Sequence, residues 1–271
     1  MSVLRTALTG AIRTAAVAHD AVRKPPPGAV LLAYHRIGGG SDSSVDLDAS
    51  VFDDQLAHLG GGHEVVTLDA AVDRLALGEA GDDLQVAVTF DDGTADFVDV
   101  AVPLLVRHRV PATLYVATAF VGGRFPWGAP ALSWAGLRDA VSTGLVTVGS
   151  HTDRHKVMDK VGVTEAREEA RRSIAAIEDG VGVHPDHFAY PKGVAGAGAV
   201  PAELASHFHS LAGAEVGVNA WVGSDLHYLR RSPIVTTDGT DSFARKAAGG
   251  LYLEGRARAA LNRVRYRNSA A

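Results

Sequence analysis

Two β-rich runs in this chain lead directly into residues that can do chemistry. Val86-Ala87-Val88-Thr89-Phe90 runs into Asp91-Asp92-Gly93, and Leu145-Val146-Thr147-Val148-Gly149 runs through Ser150 into His151-Thr152-Asp153-Arg154-His155. Successive side chains at a strand end point in different directions, so one carboxylate can bind a cation while its neighbour faces the space where a water would lie. Histidines four apart converge on one ion if the segment turns helically, and neutral imidazole is a standard ligand for zinc and its neighbours. Each piece alone has an ordinary reading. Asp-Gly after a strand is often a turn with a helix cap, and among 12 histidines a pair at this spacing arises by chance. Together, at strand ends on one face of a parallel sheet, they offer one carboxylate and two imidazoles as ligands plus a spare carboxylate. That is an open three-ligand site of the kind hydrolytic chemistry needs, with the spare Asp as general base. A third run, His187-Phe188-Ala189-Tyr190, precedes Pro191-Lys192-Gly193. Pro191 fixes this turn and Gly193 frees it, so it can aim the backbone N–H of Lys192 at an oxyanion; an ordinary Pro-Gly loop is the competing reading.

The elements that must hold these residues alternate β-rich and helical patterns. Strands are expected at Ala29 to Tyr34, Gln85 to Phe90, Ala112 to Thr118, Leu145 to Gly149, His187 to Tyr190, Ser210 to Glu215 and Tyr228 to Val235. Helices are expected over Phe97 to Arg109 and over 165 to 178. In the second, Thr164 is the N-cap, Ala166, Ala170, Ile174 and Ile177 form one stripe, Glu168 and Arg172 pair, and Gly180 closes the end. Such alternation predicts a parallel sheet covered by helices, and seven or so units favour a barrel whose active residues gather at the carboxyl ends of the strands.

Composition narrows the chemistry further. The 271 residues are 46% hydrophobic, ample for a continuous core, and there is no cysteine, so a metal must sit on histidine and carboxylate. The net charge of -5, without a central basic patch, argues against nucleic acid as principal partner. Basic residues gather at the ends: Arg5, Arg13, Arg23 and Lys24 at one, Arg256, Arg258, Arg263, Arg265 and Arg267 at the other. They read as helices docked on the surface, with contact to anionic membrane as the alternative. Leu4, Leu8, Ile12, Ala15 and Ala16 recur at helical spacing before Pro25-Pro26-Pro27-Gly28, which gives an amphipathic arm over 1–27, a main domain over 28–237 and a basic helical tail over 238–271. No secretory signal or membrane span is visible, so a cytoplasmic location is expected, with a peripheral place at the inner membrane surface as the alternative that the basic ends raise.

Val88-Thr89-Phe90-Asp91-Asp92-Gly93, the histidine pair in Ser150-His151-Thr152-Asp153-Arg154-His155, and Phe188-Ala189-Tyr190-Pro191-Lys192-Gly193 resemble the first three motifs of the polysaccharide deacetylases, the NodB-homology fold of carbohydrate esterases. Leu32-Ala33-Tyr34-His35-Arg36-Ile37 and Val110-Pro111-Ala112-Thr113-Leu114-Tyr115-Val116 resemble the branch that deacetylates exopolysaccharides. The resemblance covers roughly residues 30 to 235. It implies a distorted (β/α)7 TIM-like barrel, a single domain with helical arms, that removes N-acetyl groups from a saccharide or glycoconjugate with one divalent ion. Zinc is the default, with cobalt or nickel also suited. By position Asp91 is then the base, Asp92, His151 and His155 the metal ligands, and the Lys192 N–H the oxyanion donor. Tyr190, Pro191, His35 and Trp127 are the expected substrate-binding residues.

The sequence also departs from that pattern. Where the common third motif has an arginine that orients the catalytic aspartate and a tyrosine after the proline, this chain has Ala189 and Lys192. The later Asp and Trp motif is not found, nor is the Leu-x-His motif that supplies the general acid, about whose place Ser232-Pro233-Ile234-Val235 stands. His35 and His227 are the candidate substitutes. A catalytically silent barrel that binds glycan or partner proteins is the alternative these gaps raise.

Overall fold

The computed structural model describes residues 12–14, 16–20, 22 and 24–257. Its main sheet grows around two strands, β1 (Gly28–Tyr34) and β5 (Leu84–Phe90), paired in parallel along their whole length from Gly28 opposite Leu84 to Tyr34 opposite Phe90. Both read as nearly unbroken apolar runs because both of their faces are covered. Two-residue ladders β2 (Arg36–Ile37) and β3 (Asp46–Leu47) pair with each other beside the end of β1. Strand β4 (Glu64–Val65) pairs with β5. On the same edge of β5 as β4, away from β1, lie β6 (Ala112–Val116), β7 (Val146–Ser150), β8 (His187–Ala189) and β9 (Ser210–Ala212) in that order, all parallel.

The sheet then curls back on itself. Beyond β10 (Asn219–Ala220), which is antiparallel to β1, the chain reaches Leu229, which bridges to Ala212 of β9, and then β11 (Ser232–Pro233), which pairs with β1. Residues 229–233 therefore span the gap between the last and first parallel strands. The result is a single α/β domain with a curled sheet, consistent with a seven-unit (β/α) fold. The expected strand over 228–235 is reduced to these few pairings, and its break matters below because Arg231 lies between them.

Helices cover the outer face of the sheet, and local sequence sets their ends. Leu68–Leu77 begins where the Thr67 side chain accepts from the Ala70 N–H and ends at left-handed Gly78; Trp134–Ser142 begins where Ser133 accepts from Gly136 N–H. Over 97–109 the expected helix opens with a π-helical turn, Phe97–Ala101, before α-helix Val102–His108, which ends at left-handed Arg109. The helix expected over 165–178 is longer, Val163–Val181, with Gly162 at its start and left-handed Gly182 at its end. Thr164 therefore lies inside it, as does Gly180. A Cβ on Gly180 would lie 2.3 Å from a ring carbon of Trp134, so this glycine serves helix-to-helix contact rather than termination.

At the ends, Leu4, Leu8, Ala15, Arg5, Arg23, Arg258, Arg263, Arg265 and Arg267 lie outside the described residues. Arg13 is paired internally, with Glu254 at 2.9 Å and Asp238 at 3.3 Å. Asp20 accepts the Leu251 N–H at 2.7 Å. The helix Thr240–Ala247 buries Phe243 in the main core and directs Lys246 onto Asp238 and the Pro233 carbonyl. Among the described residues no helix is long and apolar enough to cross a membrane.

Candidate metal centre and active site

The carboxyl ends of β5, β7 and β8 bring the three sequence motifs to one place. Asp92, His151 and His155 each offer a ligand atom, and these atoms lie within 4.8 Å of one another. Both imidazoles present Nε2 to the same carboxylate oxygen: Asp92 Oδ1 is 3.5 Å from His151 and 3.2 Å from His155. The Nδ1 of His151 lies 2.8 Å from the Ala189 carbonyl, which can only accept, so Nδ1 carries the proton and Nε2 keeps a lone pair for the centre. A carboxylate oxygen and two imidazole nitrogens, one with its tautomer fixed by a carbonyl, form a donor set that fits a divalent ion with open positions.

The histidines do not converge by a helical turn. Left-handed backbone at Thr152 (φ 66°) and His155 (φ 55°) folds the loop instead. Asp92 (φ 72°) and Lys192 (φ 59°) adopt the same region, so four of the six left-handed non-glycine residues among those described sit in this site. Each such residue costs roughly 1–3 kcal/mol unless surrounding contacts hold it. The contacts are present. The Asp92 carbonyl accepts the Ala117 N–H, the Thr152 carbonyl accepts the Thr118 N–H, and the Asp153 carbonyl accepts the Ala119 N–H.

Asp91 and Asp92, adjacent in sequence, are given different surroundings. Asp91 is gripped by Arg231 through two bonds, Nη1 to Oδ1 at 2.5 Å and Nη2 to Oδ2 at 2.9 Å. Arg231 is 0% exposed, donates from Nε to the Gly213 carbonyl and lies 5.1 Å above the Tyr115 ring. Gly149 leaves room for that ring, since a Cβ there would lie 2.6 Å from it. Burial pushes the Asp91 carboxyl up, but Arg231, with His151 and His35, more than offsets this and holds it below the usual range. Asp92 is likewise lowered, its burial outweighed by its bond to His155 and by the neighbouring histidines.

Arg231 makes a two-bond contact with Asp91 that Ala189 has no side-chain donor to make. Its signal in the sequence is faint: an Arg-Arg pair ahead of an apolar segment, with nothing to say which carboxylate it meets. His35 Nε2 lies 3.8 Å from Asp91 Oδ2, and its Nδ1 is buried with no hydrogen-bond partner among the described residues. His227 is exposed, on a short turn whose N–H is capped by Asp225. Trp127 is 49% exposed, stacks on Phe125 at 4.5 Å and meets the His155 ring edge-on at 5.5 Å. Lys192 is exposed at the tip of the β8 turn, where Gly193 has no room for a Cβ against Ala214. Pro191 is buried, and the ring of Tyr190 turns into the core against Phe188, among Met158, Val200 and Leu211. These two residues build the turn, and their side chains do not line its open side.

Burial, the largest influence, brings His151 down to about 4. With its folded value below its unfolded one, His151 stays neutral in the fold while the unfolded chain takes up a proton. The metal-free protein should therefore lose stability as pH falls from 6.5 to about 4, on the order of 3 kcal/mol from this residue, and no more from it below that. Urea denaturation of metal-free wild type and His151→Asn across this window checks it: the variant should show the shallower pH dependence, and equal slopes would refute the assignment.

A family model described as polysaccharide deacetylase matches residues 79–205, a span that includes Asp91, Asp92, His151, His155 and Lys192 but neither His35 nor Arg231. No curated protein matches the chain. Among solved structures, IcaB from Ammonifex degensii is 25% identical, with a TM-score of 0.70 over 85% of this chain and 98% of that one. The deacetylase PplD of Streptococcus pyogenes, determined in complex with acetate, is 20% identical with a TM-score of 0.72, covering 82% of this chain and 99% of that one. A de-N-acetylase from Aggregatibacter actinomycetemcomitans is 18% identical with a TM-score of 0.67, covering 80% and 99%. The last two likenesses concern the fold.

Proposed function

We propose that this chain is a polysaccharide deacetylase, a divalent-metal-dependent hydrolase that removes acetyl groups from an N-acetylated saccharide or glycoconjugate, in the manner of the exopolysaccharide branch. The observation that carries the reading is the convergence of Asp92, His151 and His155 beside a second, separately held carboxylate, Asp91. A divalent ion held by the first three, zinc by default, would supply Lewis acidity toward both the attacking water and the acyl oxygen.

The chain's own residues supply the remaining steps. Asp91, kept ionised and aimed by Arg231, takes the proton of the attacking water at a carboxylate oxygen. The N–H of Lys192, at the tip of the rigid β8 turn, donates to the acyl oxygen as charge develops on it. His35, beside Asp91, gives a proton to the departing amine; its position favours it over exposed His227. The attack forms the carbon–oxygen bond, the carbon–nitrogen bond breaks, and acetate and a free amine leave. Trp127, half-exposed beside His155, stacks against a sugar ring, while Tyr190 and Pro191 shape the groove through the turn they build. Against the silent binding module speak the guanidinium of Arg231 on Asp91 and the imidazole of His35 beside it.

Plasma mass spectrometry on purified wild type and His151→Ala tests the centre without knowledge of the substrate. Close to one transition-metal ion per chain in wild type, absent from the variant, is expected. Acetate release from N-acetylated oligosaccharides should follow the same pattern. No metal after loading with zinc or cobalt would overturn the reading, and saccharide binding without acetate release under any metal would favour the silent module.

A further inference from the structure

The helix Val163–Val181 turns toward the histidine loop a face that packing alone does not explain. Ala166, Ala170 and Ile177 bury as an apolar stripe should, but Glu169 lies among them at 2% exposure. Among the described residues Glu169 has no ion-pair partner. Its Oε2 accepts the backbone N–H of Arg154 at 2.7 Å, one residue before the ligand His155. One turn further on, Ser173 makes a second connection. Its hydroxyl donates to the Ala170 carbonyl at 2.9 Å, so at 2.6 Å it must accept from Ser150, whose oxygen accepts in turn from the Thr152 N–H at 3.3 Å. The helix thus accepts the Arg154 N–H directly, through Glu169, and reaches the Thr152 N–H at second hand, by holding through Ser173 the Ser150 hydroxyl that accepts it. These are the left-handed residue Thr152 and the neighbour of left-handed His155.

We propose that Glu169, with Ser173, is a positioning residue for the metal centre: it holds the Thr152–His155 backbone in its left-handed form and so sets the His155 imidazole opposite Asp92. The inference rests on the metal reading above and names a part of the chain that touches neither metal nor substrate. A loop freed from Glu169, or held by a Ser150 hydroxyl that Ser173 no longer anchors, gains alternatives without left-handed strain, and His155 must then be reordered each time metal binds.

The test is a competitive zinc titration of metal-free protein, run beside denaturation of the same samples. Glu169→Met keeps the volume and removes the acceptor; it should weaken zinc binding about 10- to 100-fold, the usual range for groups that orient ligands. Glu169→Gln keeps an acceptor oxygen and should stay within about threefold of wild type. Ser173→Ala breaks the other connection with little change of volume and should weaken binding about tenfold. Glu168→Ala, on the exposed face and paired with Arg172, should leave affinity unchanged. A purely structural role would lower the denaturation midpoint of Glu169→Met with zinc affinity intact, and that result overturns the proposal for Glu169, as wild-type affinity in Ser173→Ala does for Ser173. If wild type itself takes up no zinc, the metal reading falls, and this inference with it.

Discussion

Asp91→Asn is expected to keep its metal and lose turnover by about 100- to 10000-fold, the usual worth of a positioned general base. The expectation follows from how the backbone separates two adjacent carboxylates. Asp92, in left-handed conformation, faces the two imidazoles, whereas Asp91 faces Arg231 and His35. An asparagine at 91 retains volume and an oxygen for Arg231 but cannot take a proton from water, so the chemical step is lost while the ligand set stays whole; the buried guanidinium, deprived of its counter-charge, lowers stability as well. Asp92→Asn should do the reverse and release the ion, taking activity with it. Metal content and acetate release measured on the two variants separate these outcomes. Full activity in Asp91→Asn, or loss of its metal, would show that the roles are wrongly divided. His35→Asn should retain metal and slow the reaction through departure of the amine, so its loss should be smallest on substrates with better leaving groups.

The residues that could be found in the sequence are those whose signal is local. Asp91, Asp92, His151 and His155 each follow a β-rich run directly, and parallel topology sends such ends to one face, so strand pattern and residue type sufficed to gather them. The means of convergence could not be read the same way. A spacing of four suggests a helical turn, yet the loop uses left-handed Thr152 and His155, which are tolerable only because neighbouring backbone and the helix Val163–Val181 hold them. Glu169 was hidden for a related reason: in a helix rich in glutamate and arginine it looks like one more solvated charge, and only the fold shows it buried. Arg231 was the least visible, 140 positions from Asp91 and in a segment whose strand character is broken where the arginine leaves it. Its contact exists because residues 229–233 close the curl between β9 and β1, a long-range event that no local pattern records. Tyr190 shows the opposite error, since a polar aromatic beside a catalytic turn suggests a binding residue while the strand's alternation sends its ring into the core.

Replacing Arg231 should be the most damaging change outside the ligands, because it affects folding and chemistry through one contact. Arg231→Met leaves the Asp91 carboxylate buried without its fork of donors, and breaking a buried pair from one side costs about 3–5 kcal/mol. It also removes the largest influence that holds Asp91 below the usual carboxylate range, so the Asp91 carboxyl should rise. Since the base must be ionised to work, the acidic limb of the activity profile should move to higher pH, whereas a variant that was merely less stable would keep its limb. Arg231→Lys restores the charge but not the planar two-bond grip, so it should recover part of the stability and less of the rate. The double variant Arg231→Met with Asp91→Asn makes the argument decisive. If the damage comes from a stranded carboxylate, neutralising that carboxylate should return much of the lost stability, and the double variant should unfold at higher denaturant than Arg231→Met alone. Strict additivity of the two substitutions would mean that Arg231 acts through Gly213 and Tyr115 instead, as a packing element of the closing segment.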